Sequence, residues 1–187
     1  MSASTLVAII VPIAVVLIII AVALWTLSRR RRLRERFGPE YDRTVAEQNS
    51  RPAAERELRA REERHDRLDI KELPAEVRHQ YADDWSSVQE RFVDRPGEAV
   101  ADADRLVARL MTERGYPTDD GYEQRLADLS VEHGRTLEHY RTAHEINVRS
   151  GGGQATTEEL RGAMVHYRAL FEELLSDRGN ARRNDGS

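Results

Sequence analysis

Arg114, Tyr116, Arg125, Asp128 and His133 bring two guanidiniums, a phenol, a carboxylate and an imidazole into one short stretch. Such a set could bind a small polar molecule or move a proton, because histidine titrates near neutrality and a carboxylate can orient it. The stretch also contains two helix breaks, at Gly115-Tyr116-Pro117 and at Gly134. At breaks like these the same groups serve as caps and inter-helix hydrogen bonds, since buried polar groups mostly satisfy one another. That structural reading carries more weight. Arg125 and Asp128, three apart on one helix face, are the expected ion pair.

Other chemistry finds little support. Glu62/His65 and Glu76/His79 have the Glu-x-x-His spacing of carboxylate-bridged metal bundles, but that site needs further inward glutamates, which are not evident. His133, His139 and His144 fall at spacings that do not share one helix face. Gly151–Gly153 lacks the Gly-Lys-Ser/Thr of a phosphate loop and follows no strand pattern, so it reads as a linker. No G-x-S-x-G occurs. With no cysteine, thiol catalysis, disulfides and cysteine-based metal sites are excluded. The expectation is a protein that is not an enzyme, with no cofactor and no metal.

The element that must position everything else is Leu6–Leu27, LVAIIVPIAVVLIIIAVALWTL, which holds no charge. As a helix its 22 residues reach about 33 Å, enough for a hydrocarbon core of about 30 Å. A cleaved signal would have a basic start, a shorter apolar run and a small-residue cleavage site. This stretch has none of those, and Trp25 suits a headgroup layer. One membrane-spanning helix over 6–27 is predicted, behind a short extracytoplasmic N-terminus, 1–5.

Arg29, Arg30, Arg31, Arg32, Arg34 and Arg36 crowd one end of that span. The positive-inside rule puts this end in the cytoplasm, and the same cluster suits anionic lipid headgroups. The expected location is therefore the cell membrane, single-pass, with the N-terminus outside. Six arginines against Glu35 give residues 29–36 a net +5; with the chain at −4 and residues 1–28 uncharged, residues 37–187 carry −9. So acidic a body is a poor nucleic-acid binder, and a protein partner is expected instead. Lys71 is the only lysine, which reflects the composition of a high-GC genome.

Residues 28–72 read as a basic juxtamembrane segment and a charged helical spacer. Gly38-Pro39 stops the first helix, Ser50 and Pro52 can open the next, and Glu/Arg pairs at i,i+4 support it. Within residues 40–70 Leu58 and Leu68 are the only regular apolar positions, too few for a coiled-coil seam, so a solvated helical spacer is predicted, with Pro52–Leu68 about 25 Å long; partial disorder is the alternative.

From Leu73 a core becomes possible. Apolar stripes at helical spacing run through Val77–Phe92, Val100–Met111, Tyr122–Leu129, Leu137–Val148 and Leu160–Leu175. Asp119 or Asp120 can cap the third of these helices, and Thr156-x-x-Glu159 fits a capping box for the last. Residues 73–177 are predicted to form a small helical bundle, and 178–187 a disordered tail. The fold class is all-α.

The segments FVDRPGEAVADADRLVARLM, RGYPTDDGYEQRLADLSVEH and TTEELRGAMVHYRALFEELL resemble a group of uncharacterised proteins of high-GC Gram-positive bacteria, often labelled secreted or membrane proteins. The likeness covers roughly 68–175 and implies no activity. In that group a proline follows the His133 equivalent, where this chain has Gly134. Taken together, the expected function is an acidic cytoplasmic interaction or scaffold module on a membrane anchor. The alternative is a small-molecule-binding or enzymatic domain working at the corner around Tyr116 and His133.

Overall fold

The computed structural model describes residues 3–176, and side chains from Ile13 onward. The expected tail 178–187 and residues 1–2 of the expected N-terminal segment 1–5 lie outside the described residues, and 3–5 already belong to the first helix. Every regular element among them is helical: α1 (Ala3–Phe37), α2 (Pro39–Gln48), α3 (Arg51–His65), α4 (Ala75–Asp94), α5 (Pro96–Arg114), α6 (Tyr122–His133), α7 (Leu137–Gly151) and α8 (Thr157–Leu175).

Helix α1 runs without a break from the apolar stretch through the arginines. Its segment from Ile13 is long and apolar enough to cross a membrane. Nothing among the described residues covers that segment: Ile18, Leu24 and Trp25 are each more than half exposed. The helix stops at Gly38, whose φ of +56° suits glycine, and Pro39 opens α2.

The main core lies between α4, α5, α7 and α8, with α6 and Tyr116 closing one side. The predicted stripe of α5, from Val100 to Met111, is wholly buried, as are Leu160, Ala163, Tyr167, Leu170 and Leu174 of α8. Trp85 of α4 stacks on Phe171 of α8 with ring centroids 4.8 Å apart. Thr156 and Glu159 form the expected capping box at the start of α8. In α7 the buried stripe is Leu137, Tyr140, Ala143 and Ile146, and Val148 faces outward. Helix α6 passes through Ser130 and ends at Gly134, and its N-cap is Gly121 without a side-chain cap. Asp120 reaches Arg64 instead.

Residues 28–72 are helical as far as His65, as expected, but they are not a solvated spacer. Leu33 and Phe37 of α1, Tyr41 of α2, Leu58 of α3 and Val131 of α6 enclose a second, smaller core. Ala54 and Thr44 are buried as well. Leu33, Phe37, Tyr41 and Val45 lie four apart, but Gly38-Pro39 interrupts the series and arginines flank its first members, so it does not read as one buried face. Gly134 makes the approach possible: a Cβ there would meet the Phe37 carbonyl oxygen at 2.3 Å. Glycine at this position admits the end of α1.

Candidate functional site

The arginine cluster divides its work. Arg29 lies over the Trp25 ring, 4.9 Å from its centroid. Arg30 pairs with Glu55 at 3.2 Å, Arg31 with Glu35 at 2.8 Å, and Arg34 with Asp42 at 2.8 Å. Arg36 reaches Glu62 and, at 3.3 Å, Asp66. Half of the cluster thus fastens α1 to α2 and α3, while among the described residues Arg29 and Arg32 have no acidic partner.

Of the corner predicted from sequence, Arg114, Tyr116, Asp128 and His133 come together and are buried, and Arg125 does not join them. Arg114 is buried at the end of α5, where Gly115 turns the chain with φ +96° and abuts the Asp69 carbonyl, 2.2 Å from a would-be Cβ. The Tyr116 ring is then driven inside, 1% exposed. Its hydroxyl lies 3.2 Å from His133 Nε2 and 3.4 Å from Glu132 Oε2. His133 Nδ1 is 2.9 Å from Glu173 Oε1, and the Thr136 hydroxyl donates to the same carboxylate. A proton on Nδ1 donated to Glu173 leaves Nε2 to accept from Tyr116.

A hydroxyl, an imidazole and a carboxylate in this order have the sequence of a proton relay. Burial decides otherwise. Tyr116 and His133 are both buried, and only the Glu173 end, with 31% of its side chain exposed, meets solvent. Burial, and next the Glu132 charge, push the Tyr116 phenol far above its ordinary range despite nearby Arg114. The relay ties the α5–α6 loop, α6 and α8 together.

Asp128 and Arg125 are not an ion pair. Asp128 is fully buried and accepts from Arg64 Nε at 2.9 Å and Gln124 Nε2 at 3.0 Å. Arg125 turns the other way, 5.9 Å from the Tyr122 ring centroid. The reason is the second helical layer: α3 covers the Asp128 face of α6 and supplies a guanidinium that a solvated spacer would not. His65 of α3 is buried there too, its Nε2 3.7 Å from Glu132 and its ring 6.0 Å from that of Tyr116. His65, Arg64, Glu132 and Glu173 belong to this corner, and only the packing of α3 and α8 against α6 identifies them.

A second polar cluster lies between α5, α6, α7 and α8. The Tyr167 hydroxyl donates to Asp104 at 2.8 Å, and His144 Nδ1 is 3.4 Å from the same oxygen. Burial raises the Asp104 carboxyl, but hydrogen bonds from His144 and Tyr167 outweigh it and hold the group below its usual range. Tyr122 stacks on His144 at 4.0 Å, and burial pushes its phenol up to about 12. This stack floors a cleft of about 430 Å³ between α2–α3 and α6–α7, rimmed by Arg43, Arg61, Arg141 and Arg149. Those arginines are already paired with Glu47, Glu57, Glu40 and Glu159 respectively.

The remaining histidines do not converge. His139 and His166 stack on the surface with Nδ1 atoms 2.8 Å apart. Glu62 of the first Glu-x-x-His is taken by Arg36, and Glu76 and His79 of the second face solvent. Among the described residues no three histidine or carboxylate side chains gather as a metal site. Comparison with protein-family models, with curated proteins and with solved structures finds no match.

Proposed function

We propose that this chain is a single-pass membrane protein that presents an acidic helical domain to the cytoplasm as an interaction or scaffold module. One observation carries the reading: the exposed apolar helix continues unbroken into the domain, where its last turns supply Leu33 and Phe37 to a core. A polypeptide built so is anchored by the same helix that completes its fold. The arginines at the end of the apolar run support the cytoplasmic side for everything after it. The closed corner supports a scaffold over a catalytic domain, because Tyr116 and His133 are spent on internal bonds. The partner class is a protein, recognised by an outer surface that carries most of the chain's negative charge.

Reporter fusions after Ser187 test the orientation. A reporter active only in the cytoplasm should work there, and an exported reporter should stay inactive. The reverse pattern overturns the topology. Affinity capture from native membranes then tests the scaffold reading, which predicts a co-purifying protein that is lost when the domain is deleted.

A further inference from the structure

Helices α1 and α3 run side by side in the same direction. Arg30 pairs with Glu55 and Arg36 with Glu62, so six residues along α1 run beside seven along α3, in the same sense. Helix α2 returns between them, crossing α1 at the Arg34–Asp42 pair. The register fixes where the α2–α3 turn stands. Arg51 is four residues before Glu55, about 6 Å back along α3, which brings it level with Thr26 and Leu27 of α1. That is the end of the apolar stretch, beside Trp25.

Charge at this end matches the location. Asn49, Ser50 and Arg51 are exposed. Among the described residues, Arg29, Arg32 and Arg51 have no acidic partner. Residues 29–51 hold eight arginines and four acidic residues, net +4, so residues 52–187 carry −8. An anionic surface is therefore attracted at this end and repelled by the remainder.

We propose that the α2–α3 turn is a membrane-binding face: Arg51, with Arg29 and Arg32, rests on anionic lipid headgroups beside the span and seats the domain flush against the bilayer. This rests on the membrane-spanning reading of α1. The bound partner is the anionic bilayer surface, and the acidic outer face is left pointing away from it.

Site-directed spin labelling of the full chain in vesicles tests the proposal. The chain has no cysteine, so Val22→Cys, Ser50→Cys and Asp69→Cys each give one label. Vesicles are made of phosphatidylcholine alone or with phosphatidylglycerol. Accessibility to lipid-soluble oxygen is compared with accessibility to a water-soluble nickel chelate. The Val22 label should favour oxygen in both. In anionic vesicles the Ser50 label should be several-fold less open to nickel than the Asp69 label, which sits beyond the far end of α3. Adding Arg51→Glu should return the Ser50 label towards the Asp69 value. A Ser50 label as open as the Asp69 label, with Val22 in lipid, overturns the docking and leaves the span. A Ser50 label still shielded after Arg51→Glu overturns the role of charge. A Val22 label open to nickel overturns both the docking and the span.

Discussion

Glu40 on α2 and Arg141 on α7 are 101 residues apart and meet in a two-pronged ion pair, Nη1 to Oε2 at 2.8 Å and Nη2 to Oε1 at 2.6 Å. Only 3% of the Glu40 side chain meets solvent, and Arg61 of α3 adds a third contact at 3.4 Å. A carboxylate this deep needs its cations, so this pair fastens α2 and α3 to the bundle.

Arg141→Met should therefore cost about 3–5 kcal/mol, because it strands the Glu40 charge with Arg61 alone. Replacing both partners, as Glu40→Leu with Arg141→Met, should recover much of that loss. Urea unfolding of a fragment spanning 28–177 reads both. A single variant no less stable than the parent would mean that Glu40 is solvated.

Gly134→Ala should destabilise the same fragment by about 1–3 kcal/mol, since the new methyl meets the Phe37 carbonyl backbone. Gly162→Ala on α8 is the opposite case. Its Cβ would meet nothing within 4 Å, so removing a helical glycine should stabilise by about 1 kcal/mol. Thermal melts of the two variants should move in opposite directions.

Asp128→Ala and Tyr116→Phe each remove one side of a buried hydrogen bond and should lower stability by about 1–3 kcal/mol. Two unchanged melting midpoints would return this corner to ligand binding.

Glu159 supplies the pH dependence. Its carboxylate accepts the Thr156 amide, pairs with Arg149 and accepts the Thr156 hydroxyl, which hold it down at about 2 from 4.5. The folded state thus binds this proton less readily than the unfolded chain. The stabilisation is full above pH 4.5 and is lost as pH falls towards 2. Glu159→Gln should flatten acid unfolding in that window while leaving the slope near neutrality unchanged, measured by circular dichroism against pH.

The bundle was legible because its stripes repeat at helical spacing and its breaks carry glycine or proline. Val100 to Met111 and Leu160 to Leu174 read directly as buried faces. The corner was legible as a set of residues but not as a set of bonds. Asp128 meets Arg64 from 64 positions away, and no local rule reaches that far. The second core escaped for a different reason. Leu33, Phe37, Tyr41 and Leu58 are spread over three helices among charges, so each helix alone looks solvated. Their contribution exists only once α1, α2 and α3 lie together on α6.

An unbroken α1 has a geometric consequence for the domain's compass bearing. Each residue of a helix turns the chain by about 100° and lifts it about 1.5 Å. Because Phe37 is locked in a core and Trp25 belongs to the same helix, the azimuth of the domain about the span is fixed by the count of residues between them. One residue inserted between Leu27 and Leu33 would swing the whole domain by about 100°, carrying Arg51 off the side it now occupies. A loose tether would absorb the same insertion without turning anything.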